Sequence, residues 1–299
     1  MNYSFSQLDM FQHCQKQYMY EYVQKEERRF FQSAFDGTIV HKFLEQLYGL
    51  PWEDVVNLVI EQYGMYDRVQ NISDELKRVV TPNFFQYTLE VEHKLNFDVG
   101  DYSFIGYIDR LDRKDNMFEI VDYKYGSYEY SQYNLSHSLQ VDLYSLGIMS
   151  LHHVDSVLFT YHNVRQNTKF TRKVDKNSID VGNIISLIKA IENAREKKYF
   201  PPQVSNLCAY CFYNQRCEDY KSWMANDLKL TPDANMDTII DTIITFGNKR
   251  KAYENAEKKL KLFVHNYMDS QGLREWKGNN KQVIPNKDSV LVKVNNGRF

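Results

Sequence analysis

The feature that most restricts how this chain can fold is the placement of its four cysteines. Cys14 stands alone near the amino terminus, and Cys208, Cys211 and Cys217 form a C-x2-C-x5-C cluster. Three thiols so close together, in a sequence read as having no secretory segment, point to metal ligation rather than to disulfides, because reduced thiols bind metals as thiolates. A four-thiolate site then requires Cys14, so the fold must bring the first helix back to a segment far downstream. Spacing alone leaves a tetrahedral zinc site and an iron-sulfur cluster both open. Four inert buried thiols are the bland alternative, and they leave the clustering of three of the four without a cause.

At 299 residues the chain is long enough for a large core domain with an appendage. The start, MNYSFSQLDMFQHCQ, lacks a basic region followed by an apolar core, and no apolar run is long enough to cross a bilayer. The expectation is a soluble, cytoplasmic protein with no membrane partner. A net charge of −2 neither favours nor excludes a polyanion, since only a local basic surface is needed to meet phosphates. The 23 Tyr and 18 Phe could stack on bases, but core packing is their default use.

Along the chain, Ser6 and Asp9 are spaced as a capping box, with Leu8, Phe11, Tyr18 and Tyr22 recurring at helical spacing on the side of Cys14. A second helix is expected from an Asp36 N-cap through Leu47, stopped by Gly49 and Pro51, and residues 53–95 read as further helix broken near Gly64 and Pro82. From Tyr102 the period changes. Phe104–Leu111 and Met117–Tyr123 read as a hairpin about the turn Arg113-Lys114-Asp115-Asn116. A helix over Asn134–Met149, strands over Ser156–Asn163 and Lys169–Val174, and an amphipathic helix over Ser178–Lys198 follow, ended by Pro201-Pro202. Beyond these, a long helix over Met236–Ser270, weak at Gly247, and a small hairpin around Pro285–Asp288 form an appendage. Its basic run, Lys249, Arg250, Lys251, Lys258, Lys259 and Lys261, could track phosphates, but the interspersed Glu254 and Glu257 favour a solvated helix face.

The chemistry concentrates in the hairpin. Asp109 lies in Gly106-Tyr107-Ile108-Asp109-Arg110, and Asp122 and Lys124, two residues apart, share a face of the next strand. Two carboxylates suit a hard cation such as Mg2+ or Mn2+, and an adjacent ammonium can orient or deprotonate a metal-bound water. An isolated D-x-K is usually only a surface ion pair. Its companions sharpen the reading: His41 and Glu45 share a helix face, offering a neutral imidazole ligand and a carboxylate to orient it, and Gln140 and Tyr144 repeat the i, i+4 spacing. Glu92 is a further acid that could approach the site.

The ordered set Gly37-x-x-x-His41, Gly106-Tyr107-Ile108-Asp109-Arg110, Asp122-Tyr123-Lys124 and Gln140-x-x-x-Tyr144 resembles the RecB-type branch of the PD-(D/E)XK nuclease superfamily. The cysteines around it resemble the iron-sulfur staple of AddB-type and CRISPR-associated exonuclease members. The resemblance implies a restriction-endonuclease-like α/β fold, a mixed central sheet flanked by helices, with a nuclease domain over 1–220 and an appendage over 221–299. Within the nuclease domain, segments 1–25 and 200–220 would carry the cluster. It implies catalytic metal held by His41, Asp109, Asp122 and the Tyr123 carbonyl, a water positioned by Lys124, and substrate placed by Gln140 and Tyr144. Cys14, Cys208, Cys211 and Cys217 would hold a 4Fe-4S cluster, with Zn2+ the alternative, shielded by Tyr210, Phe212 and Tyr213. Ile108 stands where the superfamily's name has proline. The implied activity is exonucleolytic cutting of DNA ends or single strands in recombination, repair or phage metabolism, alongside recombination or replication partners. A structure-specific endonuclease and a silent DNA-binding subunit are the alternatives.

Overall fold

A computed structural model describes residues 2–28, 32–126, 131–228, 236–278, 281–286 and 289–294. The chain divides into two compact units, Met1–Tyr220 and Lys221–Phe299. Among the described residues no helix is long and apolar enough to cross a membrane.

The first unit opens with strand β1 (Asn2–Tyr3) and helix α1 (Phe5–His13). The cap is Ser4, whose hydroxyl accepts from the Gln7 N–H, and not Ser6. The spacing Ser4-x-x-Gln7 meets the capping rule two residues earlier. Nor is the helix continuous: Cys14 is extended, at φ −163°, before α2 (Gln15–Tyr18) and a π-turn over Met19–Val23. Leu8, Phe11 and Tyr18 are buried, so the apolar spacing survives the break.

Helix α3 (Gln32–Gln46) starts ahead of Asp36, which is therefore no N-cap. Asp36 is buried and its carboxylate is held by Arg68 of α5 (Tyr66–Lys77), beyond α4 (Trp52–Tyr63). Gly64, at φ +67°, ends α4 in the left-handed conformation that glycine adopts without steric cost. The expected helix to residue 95 is overturned, because Thr88–Val99 is strand β2. Leu95, Phe97 and Val99 alternate inward along it with period two.

The hairpin is β3 (Tyr102–Lys114) and β4 (Met117–Lys124). The helix expected after it is two, α6 (Gln132–Ser136) and α7 (Leu139–His152), because Ser138 caps a fresh start by accepting from the Val141 N–H. Strands β5 (Ser156–Asn163) and β6 (Thr168–Asp175) precede α8 (Val181–Lys197), which Asp180 caps. The sheet runs β1-β3-β4-β5-β6, with β2 on the other edge of β3. It is mixed: β1 with β3 and β4 with β5 are parallel, the other pairs antiparallel. The parallel step from β4 to β5 needs a crossover, which α6 and α7 provide. One apolar core joins the sheet to α1, α7 and α8, and the other joins it to α3, α4 and α5.

Helix α9 (Glu218–Leu228) crosses the boundary between the units. In the second unit, α10 (Met236–Ser270) precedes a three-stranded antiparallel sheet of β7 (Trp276–Gly278), β8 (Lys281–Asn286) and β9 (Ser289–Val294). The tip of the expected terminal hairpin, residues 287–288, lies outside the described residues. Arg250 pairs with Glu254 and Lys261 with Glu257, each four residues apart, as a solvated helix face does.

Candidate functional site

The edge of β3 opposite β2 is shared. β1 covers Ser103 and Phe104, and β4 joins only from Arg110 onward. Asp109 sits where the ladder stops. Its Oδ2 accepts the Tyr123 N–H at 2.7 Å, replacing the backbone partner that the splayed strand no longer offers. Asp109 Oδ1 lies 3.2 Å from His41 Nδ1, so α3 delivers its imidazole to the hairpin. Glu45 does not orient that ring as expected; its carboxylate accepts from Lys42 and Gln46 instead.

Glu92 completes the group. One ligand atom each from His41, Glu92 and Asp109 lies within 4.8 Å of the others, the one such set among the described residues. On β2, Glu92 falls between the pairs Val91–Arg110 and His93–Ile108, which sets it across from Asp109. Its φ is +50°, in the left-handed region that a glutamate seldom occupies. Sequence reasoning noted this acid without placing it in the ligand set, because its opposition to Asp109 depends on β2 being a strand.

Asp122 stands beside this group in a network of its own. It is buried; Oδ1 accepts from Gln140 Nε2 at 2.6 Å, and Gln140 Oε1 accepts from Lys124 Nζ at 3.2 Å. Lys124 Nζ lies 2.7 Å from Asp122 Oδ2 as an ion pair, but that oxygen accepts no aligned hydrogen bond. Tyr144, one turn beyond Gln140, presses its ring against Gly106, where a Cβ would meet Tyr144 Cε1 at 2.8 Å. Gly106 is thus required by close approach rather than by its backbone angles. The Tyr144 hydroxyl meets Gln140 and the Tyr107 backbone.

Electrostatics follow from this crowding of acids. Burial raises the Asp122 carboxyl, Lys124 opposes the rise, and Asp109 adds to it. Burial likewise raises Glu92, with Asp109 adding to it. For His41, burial pulls the pKa down, but Asp109, Asp122 and Glu92 outweigh it and push it up to about 9. Without a cation, the surrounding acids favour the protonated imidazole. A bound cation would take that proton's place. The donor set fits such a cation: one ligand atom each from an imidazole and two carboxylates lies within 4.8 Å of the others, and carboxylate oxygens with one imidazole suit Mg2+ or Mn2+.

The cysteines gather elsewhere. Cys14, Cys208, Cys211 and Cys217 line one pocket of about 360 Å³. Backbone N–H groups of Gln203, Ser205 and Tyr213 point at the sulfurs of Cys14, Cys208 and Cys211 at 3.4, 3.4 and 3.5 Å. Burial raises the Cys211 thiol, and the other three cysteines add to it. The two cysteine-bearing segments are tied by Lys16 to Asp219, Glu26 to Arg216 and Glu21 to Tyr213. Of the expected shields, Tyr213 is buried and Phe212 lies under Arg28, whereas Tyr210 is 76% exposed.

A mixed sheet between two helical layers, with acids, an imidazole and a lysine gathered where its hairpin splays, defines a nuclease-type α/β protein. Residues 2–218 match the model of the PD-(D/E)XK nuclease superfamily, and the chain belongs to that superfamily. The crystal structure of a candidate exonuclease from Eubacterium rectale is similar in fold, with a TM-score of 0.50 and 10% identity, over 74% of this chain and 87% of that one. The crystal structure of SSO0001 matches with a TM-score of 0.33 and 16% identity, over 64% of this chain and 99% of that one. No curated protein matches the sequence.

Proposed function

We propose that the protein is an Mg2+- or Mn2+-dependent DNA nuclease that removes nucleotides from DNA ends or single strands, in recombination, repair or phage DNA metabolism. The observation that carries this reading is the meeting of the His41–Glu92–Asp109 group with the Asp122–Lys124–Gln140 network on one splayed hairpin. His41, Asp109, Asp122 and the Tyr123 carbonyl are the proposed metal ligands, with Glu92 beside them. A divalent cation there supplies Lewis acidity and lowers the pKa of a bound water. Lys124, fixed between Asp122 and Gln140, positions the attacking water and screens charge that develops on the phosphate. Gln140 and Tyr144 help place the substrate strand, Tyr144 with its ring packed on Gly106 of the hairpin. The exonuclease preference is supported by the RecB-type resemblance and by the description of the Eubacterium rectale protein.

The cysteine pocket is proposed to hold a 4Fe-4S cluster that braces the domain. Four cysteines lining one pocket supply the ligand set of a cluster or of a tetrahedral zinc, and the AddB-type resemblance is what supports the cluster. The deciding experiment is cleavage of end-labelled single- and double-stranded DNA with Mg2+ or Mn2+. Wild type should cut and Asp122→Asn should not; equal behaviour of the two would refute the nuclease. Colourless, iron-free protein after anaerobic purification would refute the cluster.

A further inference from the structure

Tyr107 is 52% exposed in the middle of β3, although its neighbours Gly106 and Ile108 are buried. Its cross-strand partner on β2 is Lys94, also exposed. Gly106 and Gly147 bring β3 and β2 close to α7: the first meets Tyr144, and the second meets Leu95 and Phe97. Residues on either side of Lys94 and Tyr107 thus turn toward α7, and alternation sends Lys94 and Tyr107 to the opposite face, on which α3 lies. Along β2, Lys94 is two residues from Glu92, and along β3, Tyr107 is two residues from Asp109. Two residues of strand span roughly 6.6 Å, within the reach of one nucleotide.

We propose that Tyr107 and Lys94 form a substrate-strand subsite, in which the tyrosine ring stacks on the nucleobase adjoining the scissile phosphate and the ammonium meets the neighbouring phosphate. This rests on the nuclease reading. Every base presents a π-face, so stacking selects unpaired nucleotides without selecting sequence. The platform is fixed beforehand: Gly106, next to Tyr107, is packed so closely by the Tyr144 ring that a Cβ there would meet it at 2.8 Å. The subsite and the catalytic network therefore share one support. A structural role alone would make Tyr107 and Lys94 an ordinary cross-strand pair, which stabilises the sheet and touches no substrate.

The test is steady-state cleavage of an end-labelled single-stranded oligonucleotide by wild type, Tyr107→Ala, Tyr107→Leu, Tyr107→Phe and Tyr107→Trp, with melting temperatures recorded for each. The Ala and Leu variants should raise KM by about tenfold with kcat within about twofold, and Phe and Trp should match wild type. Leu keeps apolar bulk, so it carries the comparison if Ala fails to fold. On an oligonucleotide with an abasic residue next to the cleaved bond, wild type should fall to the level of the Ala and Leu variants. Lys94→Gln should lower the dependence of log KM on log salt by about one ion. The proposal is overturned if wild type cuts but the Ala and Leu variants keep its KM, if Phe loses as much as Ala, or if the abasic substrate preserves the difference. Wild type that neither binds nor cuts DNA would sink the nuclease reading itself, a distinct result.

Discussion

Gly106→Ala should disable the site by displacing Tyr144 rather than by weakening the sheet. The added Cβ would stand 2.8 Å from Tyr144 Cε1 and 3.3 Å from Cζ, whereas ordinary carbon contacts begin near 3.4 Å. The ring must withdraw by more than half an ångström, taking its hydroxyl away from Gln140 and from the Tyr107 backbone. Overpacking of this kind costs roughly 1–3 kcal/mol, and for a domain of this size each kcal/mol lowers Tm by about 2–4 °C. Replacing glycine in a strand would otherwise restrict the unfolded chain and stabilise by roughly 0.4–1 kcal/mol, so a net loss is diagnostic. Activity should fall at least about tenfold, since Gln140 bonds both Asp122 and Lys124. A double-mutant cycle isolates the cause: in a Tyr144→Ala background the same Gly106→Ala change should cost almost nothing by thermal or denaturant melting. Equal costs in the two backgrounds would refute the clash.

Three further outcomes follow from the geometry. Burial lowers the pKa of His162 to about 4, with Lys169 also acting against its charge. Its unfolded value is near 6.5, so the unfolded chain takes up the proton first; stability present above pH 6.5 is lost as pH falls toward 4, by at most about 3 kcal/mol. His162→Gln should flatten that acid limb in denaturant melts, and an unchanged limb would contradict the assignment. Glu92→Gln should weaken Mn2+ binding by about tenfold or more in titration calorimetry while the fold persists, and unaltered affinity would remove Glu92 from the metal site. Cys14→Ser should abolish bound iron and lower Tm yet leave a folded protein, because Lys16–Asp219, Glu26–Arg216 and Glu21–Tyr213 still join the two segments.

The hairpin acids were legible because β3 and β4 are consecutive and joined by a short polar turn, so alternation alone puts Asp122 and Lys124 on one face. Helix α8 and the long α10 were legible from periodicity for the same local reason. What failed depended on distant partners. The run Leu89, Val91, Leu95, Phe97, Val99 has the period of a strand, but Glu90, Glu92 and Lys94 also suit a helix, and only pairing with β3 decides. Asp36 has the composition of an N-cap, yet Arg68, 32 residues away, claims its carboxylate inside the helix. The pairing of His41 with Asp109 rather than Glu45 likewise arises from helix docking, which no local spacing encodes.

The two helical layers divide the chemistry between them. His41 belongs to α3, which packs with α4 and α5 on one face, whereas Gln140 and Tyr144 belong to α7 on the other. Asp109 and Asp122 lie in the sheet between them, so the distance from imidazole to lysine is set by two independent cores acting on one hairpin. Shaving the first core, as in Phe43→Ala, should loosen the His41 side of the site at a cost of roughly 3–5 kcal/mol in stability. Shaving the second, as in Ile148→Val at roughly 0.5–1.5 kcal/mol, should disturb the Lys124 side instead.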